Sequence, residues 1–174
     1  MLTVLVVIAV VIAAVLLYAS TRPDQFEISR STTINAPPER IAALVNDFRR
    51  WPLWSPYEKL DPNLKRTVAG SESGKGATYA WEGNGKAGKG AMEILDATPA
   101  HTVIRLDFEK PFKANNTAEF TYTPASDGTV TTWTMRGVHP FMGKVMCLFF
   151  SMDNLVGKDF AAGLASLKQA AEKN

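Results

Sequence analysis

Histidine, cysteine and closely spaced carboxylates are the side chains that most often do chemistry, and this chain of 174 residues carries few of them. Its two histidines, His101 in Pro99-Ala100-His101 and His139 in Gly137-Val138-His139-Pro140, lie far apart, and neither has a second ligand at metal-binding spacing. No zinc or nucleophilic site is therefore expected. His139 closes a strand ahead of the C-terminal segments, so a general base at a cavity mouth stands beside a plain turn histidine as its reading. The single Cys147 excludes an intrachain disulfide and a cysteine-based metal site. Glu58 and Asp61 flank Lys59, and such a pair does acid–base work only where a dry site splits its pKa values. The lysine and the prolines around it point instead to a solvated, salt-bridged loop. Gly83-Asn84-Gly85-Lys86-Ala87-Gly88-Lys89-Gly90 lacks the G-x-x-x-x-G-K-[ST] order of a phosphate loop and reads as a hairpin. No catalytic residue, metal or cofactor is assigned.

What remains is the chemistry of apolar burial. Residues 46–62 hold two of the four tryptophans and three of the ten prolines, and include Trp51, Trp54 and Tyr57. Prolines remove backbone donors and disfavour helix just upstream, so this stretch is a bent connection of short helical turns. Its large rings need a hydrophobic interior, which the rest of the chain must supply. With 19 basic and 17 acidic residues the charge is nearly balanced, and no basic face suited to nucleic acid is present.

From Leu2 to Leu17 every residue except Thr3 is Leu, Val, Ile or Ala, followed by Tyr18. At a helical rise of ~1.5 Å per residue this run just reaches across a ~30 Å hydrocarbon core. Residues 1–20 are read as a single-pass membrane anchor contacting the bilayer through residues 2–18. A cleaved signal peptide is the rival, favoured by the Leu17-Tyr18-Ala19-Ser20 context but lacking a basic n-region. Arg22 and Arg30 follow the span and no basic side chain precedes it, which leans the orientation toward a cytoplasmic domain. Residues 21–25 form a short polar linker and residues 26–174 the domain.

Phe26 to Ile34 alternates as a first strand, flawed only by Arg30 on its apolar face. A helix capped by Asn35, with prolines in its first turn, is expected to run to about Phe48. Six strands follow: 64–69, 77–81, 90–97, 102–108, 117–123 and 129–136, joined tightly enough to form an antiparallel meander. One face of each is apolar and the other polar, so the curved sheet needs a cover. The stripe Val156, Phe160, Gly163, Leu164, Leu167 and Ala171 makes the last helix that cover. Its glycines 157 and 163 imply close approach by a neighbour, and small residues over an aromatic sheet imply unfilled volume.

Three segments carry a family resemblance: Arg30-Ser31-Thr32-Thr33-Ile34-Asn35-Ala36-Pro37-Pro38-Glu39, the stretch from Asp47 to Pro62, and Asn116-Thr117-Ala118-Glu119-Phe120. With the order of elements they resemble the helix-grip fold of the START and Bet v 1-like (SRPBCC) superfamily, in its bacterial, membrane-anchored polyketide cyclase/dehydrase-like branch. The resemblance implies an α+β fold, a curved seven-stranded antiparallel sheet around a long C-terminal helix, enclosing a cavity for a small hydrophobic or lipidic ligand. Candidate lining residues are Trp51, Trp54, Tyr79, Trp81, Met92, Phe108, Phe120, Trp133 and Phe160, with Tyr79, Tyr122 or Arg30 to orient the ligand. Plain core filling is the competing role for each ring. Phe141, Met142, Phe149 and Phe150 sit in a run too apolar for one helical face, and are read as a membrane contact or lid against the alternative of a buried helix. Two other functions stay open: a polyketide cyclase/dehydrase-type enzyme, and a membrane-tethered protein-interaction module whose partner the sequence does not name.

Overall fold

The computed structural model describes residues 1–138, 143–145, 148 and 152–173. Helix α1 spans Leu2–Ser20. Seven strands follow: β1 (Gln25–Ile34), β2 (Lys65–Gly70), β3 (Ala77–Glu82), β4 (Lys89–Ala97), β5 (His101–Lys110), β6 (Ala114–Ala125) and β7 (Gly128–Val138). Helix α2 covers Pro38–Val45 and helix α3 Met152–Glu172. The strands form one antiparallel sheet in the order β1-β7-β6-β5-β4-β3-β2, so the six-strand meander is as expected and β1 closes its free side against β7. The β4–β5 register shifts beside Gly90, where Glu109 of β5 is skipped, and between Ile94 and Asp96, where Leu95 of β4 is skipped, and such bulges bend a sheet. Its dry face packs on α3 through Phe160, Leu164, Leu167 and Ala171, all buried.

Helix α2 is shorter than its pattern suggests. Pro37, in extended conformation, precedes its first residue, and the Asn35 backbone amide donates instead to Glu172 Oε1 at 2.7 Å. The helix stops at Val45, because the Asp47 side chain accepts from the Arg49 amide and starts a separate 3-10 turn over Phe48–Leu53. A second such turn covers Pro56–Lys59. The last carbonyls of α2 have no intrahelical partner. The indoles of the bent connection supply one: Trp54 Nε1 donates to the Leu44 carbonyl at 3.1 Å and Trp51 Nε1 to that of Val45 at 2.9 Å.

Both glycines of α3 are occupied by neighbours, as their positions in the helix imply. A Cβ at Gly157 would run into the Arg30 guanidinium, and one at Gly163 would lie 2.8 Å from Trp133 Cζ3 and 3.0 Å from Pro56 Cδ. The expected unfilled volume is therefore absent at these two places, because large side chains already use the space. Arg30, the flaw on β1, reaches across to α3 and pairs with both carboxylate oxygens of Asp153 at 3.0 Å. Gly163→Ala gains about 1 kcal/mol of helix propensity, but overpacking costs about 1–3 kcal/mol. Trp133 is stacked on Phe160 at 3.9 Å and has no room to retreat. We expect a net loss of stability, read as a lower urea midpoint for the variant.

Candidate functional site

Alternation along each strand sends Tyr79 and Trp81, Met92, Phe108, Phe120 and Trp133 to the same face, while the bent connection lays Trp51 and Trp54 over it and α3 adds Phe160. The rings join in one chain. Phe160 stacks on Trp133, with planes 6° apart, and Trp133 stacks on Phe120 at 4.9 Å. Trp54 meets Trp133 edge-on at 5.7 Å and Trp51 at 4.9 Å. Phe48 links Trp51, at 5.1 Å, to Tyr79, at 5.6 Å. Tyr79 leads to Trp81 at 6.3 Å and Trp81 to Phe108 at 5.6 Å. The eight aromatic side chains proposed as lining thus belong to one contiguous network. Met92 joins it through its register with Tyr79. Phe48 was missed as a member because its spacing placed it on α2.

The network has two ends of different character. Trp54, Phe120, Phe160 and Trp133 are buried and in mutual contact, so that end is filled by its own rings. Trp81 and Phe108, with Leu106 of β5 and Phe26 of β1, are only half-buried on the same face of the sheet. They form an open apolar end. Two surface grooves, of about 400 Å³ between β1 and α3 and about 490 Å³ beside α2, are lined by none of the nine proposed lining residues.

The polar groups are placed differently from what the sequence suggests. Tyr79 Oη donates to Glu58 Oε1 at 2.5 Å, Tyr122 Oη shares a 2.9 Å bond with Thr102 Oγ1, and Arg30 is committed to Asp153. All three proposed orienting groups are engaged. Glu58 and Asp61 are not solvated, at 8% and 6% exposure. Glu58 pairs with Arg66 Nε at 2.5 Å instead of with Lys59, while Asp61 accepts from the Asn63 and Asn84 amides at 2.9 and 2.7 Å. The two carboxylates fasten the bent connection to β2 and to the β3–β4 hairpin. Burial, together with the bond to Glu58, pushes the Tyr79 hydroxyl well above its ordinary range. Arg66 is pushed up chiefly by its bond to Glu58. His101 is a turn histidine, bonded to Asp96 Oδ2 at 2.9 Å and to Thr98. No cluster of three or more potential metal ligands occurs among the described residues. His139, Phe141, Met142, Cys147, Phe149 and Phe150 lie outside them.

One buried polar group on the dry face is left over near the open end. Asn116 is 8% exposed, and its Oδ1 is buried without a hydrogen-bond partner. Its amide nitrogen has only the Met135 sulfur, at 3.8 Å. Register places it in a row running Phe26, Gly137, Asn116, Leu106, Met92 and Tyr79 across six strands. Sequence reasoning missed it because it started this strand at Thr117. Extending the alternation of Ala118, Phe120 and Tyr122 back by one step puts Asn116 on the dry face.

No curated protein matches the chain. Solved structures share its fold at low identity. The protein CV1439 from Chromobacterium violaceum aligns with a TM-score of 0.61 at 16% identity, over 88% of this chain and 100% of that one. The di-domain ARO/CYC StfQ from the steffimycin biosynthetic pathway aligns with a TM-score of 0.65 at 11% identity, over 85% of this chain and 51% of that one, so this chain spans about half of it. Aha1 from Colwellia psychrerythraea, solved as a dimer, aligns with a TM-score of 0.59 at 17% identity, over 84% and 96% of the two chains. A family model described as polyketide cyclase / dehydrase and lipid transport matches residues 25–172, which is the whole sheet and α3, and the chain belongs to that family.

Proposed function

We propose that the protein is a membrane-anchored binder of a small hydrophobic or lipidic molecule, held at the open end of the ring network. The observation that carries this is the pairing of half-buried Trp81, Phe108, Leu106 and Phe26 with a buried amide whose carbonyl oxygen has no partner. An apolar site with one well-placed polar group is what such ligands require, and an unmade hydrogen bond in a buried place costs about 1–3 kcal/mol unless something supplies the donor. A ligand hydroxyl or amide would supply it. Helix α1, apolar and long enough over Thr3–Ser20 to cross a membrane, supports the anchor, although a signal sequence has the same composition. Glu58, Tyr79 and Arg66 satisfy one another, which favours a brace for the connection over an acid–base pair.

Asn116→Leu tests the reading. Replacing an unpaired buried amide by an apolar side chain of similar size leaves stability unchanged or raises it by about 1 kcal/mol. The same change is expected to abolish a ligand that co-purifies with the full-length protein, as seen by native mass spectrometry from detergent. A wild-type chain that carries no small molecule, or a variant that keeps it in full, counts against the proposal.

A further inference from the structure

The β5–β6 hairpin carries Phe112, which is 62% exposed and the one exposed phenylalanine or tryptophan among the described residues. Lysines stand on both sides of it, in Lys110-Pro111-Phe112-Lys113. An exposed apolar ring flanked by lysines is the composition of an interfacial membrane contact.

Topology brings this hairpin to the end of the domain where α1 is attached. β1 and β6 both run antiparallel to β7, so they begin at the same end of the sheet. Four residues separate β1 from α1, which allows at most about 18 Å in extended chain. In the row containing Phe26, β5 contributes Leu106. From there β5 continues through Lys110, some 13 Å further toward the anchored end at ~3.3 Å per residue. Sideways, β6 and β5 lie two and three strands from β1, about 10–15 Å at the usual spacing. At the root of α1, Ala19 is fully buried, and Asp24 of the linker that follows forms an ion pair with Lys144.

The charge at this end is one-sided. Lys65, Glu82, Lys89 and Lys110 stand opposite one another across β2 to β5, and the β3–β4 hairpin adds Lys86. With Lys113 this rim holds five lysines against Glu82, Glu109 and the buried Asp61 that accepts from the hairpin's Asn84 amide. Lys89 pairs with Glu109 at 3.4 Å, whereas Lys65, Lys86, Lys110 and Lys113 have no ion pair among the described residues. The β6–β7 turn at the far end, Ala125-Ser126-Asp127-Gly128, has neither lysine nor aromatic side chain.

We propose that the Lys110–Lys113 hairpin is a second membrane contact, which docks the open end of the domain on an anionic bilayer surface. The proposal rests on the anchor reading of α1. Docking turns half-buried Trp81 and Phe108 toward the lipid, so a ligand passes between bilayer and protein without crossing water.

The test places single fluorophores on the full-length chain in a Cys147→Ser background, through Phe112→Cys, Val10→Cys or Ser126→Cys, reconstituted in vesicles of neutral lipid with or without about 30 mol% phosphatidylglycerol. The expected result is that the probe at 112 shifts to shorter wavelength and loses about threefold or more of its iodide quenching only on the anionic vesicles. Lys110→Glu with Lys113→Glu restores the quenching, and the probe at 126 stays exposed throughout. A probe at 112 that remains in water while the probe at 10 is shielded overturns the docking and leaves the anchor intact. A probe at 10 that is accessible in vesicles overturns the anchor, and the docking with it.

Discussion

Trp54→Ala is expected to remove about 3–5 kcal/mol of stability, the range for truncating a large buried ring. The ring is fully buried and contacts Trp51, Phe120 and Trp133 at centroid separations of 4.9 to 5.8 Å. Two effects add. Trp133 cannot swing in to fill the cavity, because it is pinned between Phe120 and Phe160. The Leu44 carbonyl also loses the indole donor that caps the end of α2. Trp54→Phe separates them: most of the ring remains, the cap is gone, and a loss of about 1–2 kcal/mol is expected. Urea unfolding of both variants in mild detergent, followed by near-ultraviolet circular dichroism, checks the order. A Trp54→Ala protein that loses under about 1 kcal/mol and also loses its co-purifying ligand would make the ring a gate.

That contrast shows which parts of the molecule were legible in the sequence. Period-two alternation and tight turns are local signals, so the seven strands, the covering stripe of α3 and the common face of the aromatic residues followed directly. The helical character of the bent connection did too, since proline acts on its nearest neighbours. The fates of the polar residues were not legible, because each depends on a distant partner. Glu58 and Asp61 look solvated beside Lys59, yet Glu58 is satisfied by Tyr79, 21 residues away, and Asp61 by the Asn84 amide, 23 away. Arg30 looks like an error in a strand until α3 folds back with Asp153 and a glycine beneath the guanidinium. Asn116 was lost for a smaller reason, a strand boundary set one residue late.

The polar closure also predicts how the protein fails at high pH. Burial raises the hydroxyl pKa values of Tyr57, Tyr79 and Tyr122; Asp159 adds to the effect at Tyr57 and the bond to Glu58 adds to it at Tyr79. An unfolded tyrosine releases its proton near pH 10. Above that pH the folded chain keeps protons that the unfolded chain has lost, so the unfolded state binds fewer and stability falls as pH rises. Each such tyrosine contributes a slope of about 1.4 kcal/mol per pH unit once its unfolded form is ionised, and three together contribute up to about 4. Below about pH 9 the contribution is present in full. Urea midpoints measured between about pH 9 and 11.5 should therefore be level at first and then fall steeply. Tyr122→Phe should reduce the slope by about a third, because the phenyl ring keeps the packing and has no proton to release. An unchanged slope in that variant would mean that the Tyr122 hydroxyl ionises as freely in the folded chain as in the unfolded one, and that the interior around Thr102 admits water.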